Sequence, residues 1–88
     1  MLSREEFLLE TGISKEIFQD LLSLGWLETT KDDGEYFSDA DIVRVRKMER
    51  ICADFELPVI AGTIIVDLLE RINVLEETIQ RLKARTEE

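Results

Sequence analysis

Three helix starts are written into the first half of this 88-residue chain, and they leave little freedom in how it folds. In Leu2-Ser3-Arg4-Glu5-Glu6-Phe7, Ser3 can accept a bond from the first free amides of a helix, and Glu6 can reach back as its capping-box partner. Leu2 and Phe7 then occupy the two positions of a hydrophobic staple, one before the cap and one a turn inside. The pattern repeats at Ser14, flanked by Ile13 and Phe18, and at Ser38, flanked by Phe37 and Ile42 with Asp41 at the third helical position. Each start fixes where a helix begins and which side of it turns inward.

The helices follow from these starts. The first runs over roughly Arg4–Glu10 and is broken by Thr11-Gly12. The second covers Lys15 to Ser23 or Leu24, with Gly25 suited to a left-handed C-cap. Ile17, Phe18, Leu21 and Leu22 form its apolar face, so Glu16, Gln19, Asp20 and Ser23 face outward. Two short helices joined by a tight glycine-containing turn form a helix-turn-helix. Beyond them, Trp26-Leu27-Glu28 and Glu35-Tyr36-Phe37 read as two short strands around Thr29–Gly34, with Asp33-Gly34 as the turn of a small hairpin wing. No polar residues converge on Trp26 in sequence, which assigns it to core packing rather than to ligand stacking. The third helix spans Asp39 to about Phe55, with Ile42, Val45, Met48, Cys52 and Phe55 as its buried stripe.

Pro58 suits the first turn of a fourth helix, where its missing N–H costs nothing. That helix can extend to about Lys83, a length of roughly 40 Å at 1.5 Å per residue. Ala61, Ile65, Leu68, Ile72, Leu75, Ile79 and Leu82 alternate spacings of four and three along it. This is a heptad seam with Ile at a and Leu at d, the choice that favours two parallel strands; over about three heptads the antiparallel pairing stays open. Arg71 and Glu76 take g and e positions. Thr86-Glu87-Glu88 is expected to fray. The fold class is therefore mostly α: a winged helix-turn-helix over residues 1–57 and a long amphipathic, coiled-coil helix over 58–85. Ile65, Leu68, Ile72, Leu75, Ile79 and Leu82 are the expected dimerisation residues, and a homodimer the expected state.

Composition decides against several chemistries. The chain has no histidine, so the usual general base and metal ligand are missing. Its lone cysteine, Cys52, sits in an apolar stripe without a base partner and reads as a packed thiol. Asp32 and Asp33 belong to a turn, where Asp is expected for backbone reasons. No catalytic residue, cofactor site or metal site is expected, and the chain reads as non-enzymatic. One cysteine, no secretory leader pattern and no apolar run near the ~20 residues of a bilayer span point to the cytoplasm.

Charge then bears on partners. The formal net charge is −9, whereas a helix-turn-helix that reads DNA draws its affinity from cations that neutralise phosphates. Residues 1–34, which would touch DNA, hold three basic against eight acidic residues and carry −5 of that total. The helix expected to read bases presents Glu16, Gln19 and Asp20 outward, with Lys15 its one cation. A basic cluster does exist on the third helix: Arg44, Arg46, Lys47 and Arg50. The simplest reading is a solvated face paired with Asp41, Glu49 and Asp54. Charge thus argues against nucleic acid and for a basic protein partner. The candidate contact residues are Glu16, Gln19 and Asp20 on the second helix with Glu5 and Glu10 on the first; Glu6 is nearby but engaged in capping.

Specific segments also resemble known families. Glu35-Tyr36-Phe37-Ser38-Asp39-Ala40-Asp41-Ile42-Val43-Arg44 is similar to the wing-to-helix junction of MerR-like winged-helix proteins. Glu6-Phe7, Thr11-Gly12-Ile13-Ser14, Leu24-Gly25 and the Leu57-Pro58-Val59-Ile60-Ala61 run into a long helix resemble the CbpM chaperone-modulator family. That resemblance, over nearly the whole chain, implies a MerR-like fold that binds the J-domain of a CbpA/DnaJ-type co-chaperone and inhibits its work with DnaK. MerR regulators commonly carry an arginine before the wing's aromatic pair, where this chain has Gly34-Glu35, and an effector domain after the dimerisation helix, which is not expected here. Three readings follow: a chaperone modulator, a MerR-like DNA-binding regulator using the third-helix cations, and a plain oligomerisation module.

Overall fold

A computed structural model describes residues 2–31 and 35–86. Its elements follow one another as β1 (Leu2–Ser3), α1 (Arg4–Thr11), α2 (Lys15–Ser23), β2 (Thr30–Lys31), β3 (Glu35–Phe37), α3 (Asp39–Phe55) and α4 (Val59–Thr86). All three serines cap their helices: Ser3 Oγ accepts from the Glu6 amide, Ser14 Oγ from Ile17, and Ser38 Oγ from Asp41. Only Ser38 completes the reciprocal box, its own amide donating to Asp41 Oδ2 at 3.0 Å. At Ser3 the Glu6 carboxylate accepts from the serine hydroxyl instead, at 3.1 Å.

The staple aromatics meet one another. Phe7 of α1 stacks on Phe37 of β3 with ring centroids 4.6 Å apart, and Phe18 of α2 completes the triad at 5.9 and 5.5 Å. All three are fully buried. Each pair adds about 0.5–1.5 kcal/mol beyond the area it removes from water. The residues that set the start of each helix are thus also the residues that hold the helices together. Leu21, Leu27, Ile42, Val45, Met48 and Val66 extend this core toward α3 and α4.

The wing differs from its sequence expectation. Trp26 and Leu27 are buried but form no strand. Their amides both turn back to the Leu21 carbonyl, at 3.0 and 3.3 Å, while Gly25, at φ 72°, donates to Leu22. This closes α2 in a Schellman motif and leaves those amides unable to join a ladder. The first wing strand is therefore Thr30–Lys31, antiparallel to β3 with Lys31 opposite Glu35. The expected turn at Asp33-Gly34 lies outside the described residues. On its other edge β3 pairs with Leu2–Ser3, so the sheet has the order β1-β3-β2 and not two strands.

Helix α3 is capped by Glu56, which takes the left-handed conformation at φ 53°. Its stripe is shorter than expected: Ile42, Val45 and Met48 are buried, Cys52 is half-buried, and Phe55 is 69% exposed. The reversal through Leu57–Pro58 brings α4 against α3 at Gly62, opposite Met48 and Cys52, about one turn before Phe55. A Cβ on Gly62 would lie 3.1 Å from Met48 Cγ and would collide with Cys52 Sγ, so the two helices approach as closely as the missing side chain allows. Thr63 and Val66 continue this buried face of α4. Thr86, expected to fray, is the last helical residue, its hydroxyl bonded to the Lys83 carbonyl at 3.0 Å; Glu87 and Glu88 lie outside the described residues.

Candidate partner-binding surface

The acidic residues of α2 share one face. Glu16, Gln19 and Asp20 are exposed and line a shallow depression together with Lys15. Their placement follows from the burial of Phe18 and Leu21, which turns the opposite side of a nine-residue helix to solvent. The α1 candidates divide. Glu5 is exposed in the first turn. Glu10 is exposed too but faces α3: Arg46 donates to its backbone carbonyl at 3.0 Å and approaches its carboxylate at 3.5 Å. Arg46 thereby places positive charge at the C-terminus of α1, where the free carbonyls and the helix dipole favour it. Glu10 is thus spoken for, and the free acidic surface centres on α2.

The basic cluster of α3 is also not the self-paired face that its sequence suggests. Arg44 reaches across to α4, bonding Asp67 Oδ1 at 2.9 Å and Glu70 Oε1 at 2.8 Å. Its guanidinium lies 4.2 Å from the centroid of the Trp26 ring and donates to the Trp26 carbonyl at 3.1 Å. Trp26 Nε1 donates to the same Asp67 oxygen at 2.8 Å. Arg44 and Arg46 are thus engaged across helices, but Arg46 stays on the surface with Lys47 and Arg50, all three exposed. Burial lifts the Glu49 carboxyl above its ordinary range, opposed in part by the neighbouring Arg46.

Sequence reasoning missed this clasp of Trp26, Arg44, Asp67 and Glu70. A signal for it existed: Asp67 and Glu70 are three apart and so share a helix face, and a buried indole N–H needs an acceptor. Their partners lie 23 to 41 positions away along the chain, beyond the reach of local pattern.

Helix α4 has two apolar sides. One, with Val59, Gly62, Thr63 and Val66, packs into the core. Around the helix from it, Ile60, Ile64, Leu68, Ile72, Leu75, Ile79 and Leu82 are each about half exposed. The expected seam is therefore present as an open stripe from Leu68 to Leu82. Its first position shifts, because Ile65 is half-buried while Ile64 is 55% exposed. Among the described residues no three His, Cys, Asp or Glu side chains are placed to hold a metal ion, and no helix is long and apolar enough to cross a membrane. A family model described as MerR HTH family regulatory protein matches residues 2–84.

Proposed function

Because the chain belongs to the MerR HTH family of regulatory proteins, we propose that it is a regulator acting on a protein instead of an operator. Specifically, it is a non-catalytic, homodimeric chaperone modulator that binds the J-domain of a CbpA/DnaJ-type co-chaperone and inhibits its action with DnaK. The observation that carries this reading is the exposed Glu16, Gln19 and Asp20 on the helix that would enter a DNA groove. Carboxylates there oppose phosphate at the point where a DNA reader needs cations. They suit a basic helix, which they would steer into contact at long range. The engagement of Arg44 by Asp67 and Glu70 supports it by drawing one of the four α3 cations into the fold. Resemblance to the CbpM family names the partner.

Titration against a J-domain and against duplex DNA, each at low and high salt, tests the proposal. The expected result is J-domain binding that weakens with salt. Tight, salt-sensitive DNA binding without J-domain affinity would overturn it. Family membership favours that second reading, a DNA-binding regulator, and Arg46, Lys47 and Arg50 are the exposed α3 cations it would use. Reversing both acids, Glu16→Lys with Asp20→Lys, lowers J-domain affinity mainly through the association rate, as stopped-flow mixing would show.

A further inference from the structure

The acidic depression on α2 does not end at Asp20. That residue also borders a second groove of about 280 Å3, lined by Asp20, Ser23, Leu24, Val59 and Ile60, between the end of α2 and the start of α4. Leu24 is 50% exposed and Ile60 54% exposed. A surface that is carboxylate at one end and aliphatic at the other therefore runs continuously from Glu16 through Asp20 to Ile60.

We propose that this continuous surface is the docking site for a basic amphipathic helix of the protein partner. The apolar side chains of that helix would seat on Leu24, Val59 and Ile60, and its cations would face Asp20 and Glu16. Charge and shape select this occupant together. An uncharged apolar segment would leave the carboxylates unused, and a purely basic one would leave the aliphatic groove wet. A helix with an apolar stripe bordered by Lys or Arg matches both ends, as an amphipathic helix fills a groove. The inference rests on the protein-partner reading but goes beyond it: it adds α4 to the interface and makes apolar contact a determinant of affinity.

Three variants separate its parts: Asp20→Asn removes a charge, while Leu24→Ser and Ile60→Ser remove apolar contact at exposed positions without altering charge. Each is titrated with an isolated J-domain and with a synthetic Lys/Leu amphipathic helical peptide, and sized by light scattering. The expected result is a roughly tenfold loss of affinity for both probes in the serine variants, with unchanged mass and helix content. In Asp20→Asn, the salt dependence of binding should flatten. J-domain binding unchanged by either serine variant overturns the groove and leaves the chaperone reading standing. Peptide binding that depends on Leu24 and Ile60, with no J-domain binding by the unaltered protein, upholds the groove and overturns the J-domain as partner. Binding of neither probe overturns both. A loss of mass in the serine variants also overturns the proposal, by assigning the groove to a second copy, whose α4 end carries Arg81, Lys83 and Arg85.

Discussion

Two single positions hold the helices of this protein in place by opposite means. At Gly62 the absence of a side chain admits Met48 and Cys52. Gly62→Ala is therefore expected to destabilise by about 1–3 kcal/mol, although alanine is the better helix former. Urea denaturation checks this, and Cys52→Ala in the same chain should restore part of the loss by vacating the space that the new Cβ needs. At Asp67 the opposite holds, since one carboxylate oxygen serves both Trp26 and Arg44. Asp67→Ala leaves the largely buried indole N–H without that acceptor, an expected loss of about 1–2 kcal/mol with a change in tryptophan fluorescence. Neither constraint was fully legible in sequence. Trp26 reads as a core residue, and it is one, but the polar groups that orient it come from α3 and α4. Cys52 reads as a packed thiol, yet its packing partner, a glycine, adds nothing to a hydrophobic pattern.

The elements were more legible, because their starts depend on neighbours in the chain. Serine caps at 3, 14 and 38 place all three N-termini correctly. Ser38→Ala should cost about 1 kcal/mol, more than Ser14→Ala, because Ser38 also belongs to a reciprocal box; thermal melts of the two variants would rank them. What local pattern misjudged was backbone pairing. Trp26 and Leu27 have strand-forming side chains, but the Leu21 carbonyl had already taken their amides. The β1 strand was hidden for a related reason: two residues ahead of a helix carry no alternation to detect. Helix α3 also bears a carboxyl whose titration is shifted by burial. Glu49 holds its proton more tightly when folded, so the native state binds more protons than the unfolded chain in the window between the ordinary value of 4.5 and its own raised value. Its ionisation therefore subtracts stability as pH rises through that window and restores it as pH falls. Glu49→Gln should raise stability at pH 7 and converge on the unaltered protein near pH 4, as urea midpoints at the two values would show.

At the scale of the whole molecule, α4 sets the shape. The chain extends 51 Å in its longest dimension, with a radius of gyration of 16.0 Å against about 12 Å for a compact chain of this length. An aliphatic stripe on so extended a helix calls for cover. Ile72→Asp with Leu75→Asp should reduce a homodimer to monomers in analytical ultracentrifugation; unchanged mass would assign the stripe to another role. The heptad spacing was readable because it is periodic, whereas the shift from Ile65 to Ile64 reflects how α3 covers one flank of α4, which no repeat encodes. Among the described residues, Glu70 is the last on α4 whose side chain is tied to the helix-turn-helix, through Arg44. Beyond it, α4 continues to Thr86 as a rigid rod of about 24 Å at 1.5 Å per residue. A tilt of about ten degrees at the Arg44 clasp would sweep its tip through roughly 4 Å, about three quarters of a helical turn. For any such tilt the ion pairs at Asp67 and Glu70 would be the fulcrum of a lever, with a small rearrangement at the head becoming a displacement at the far end.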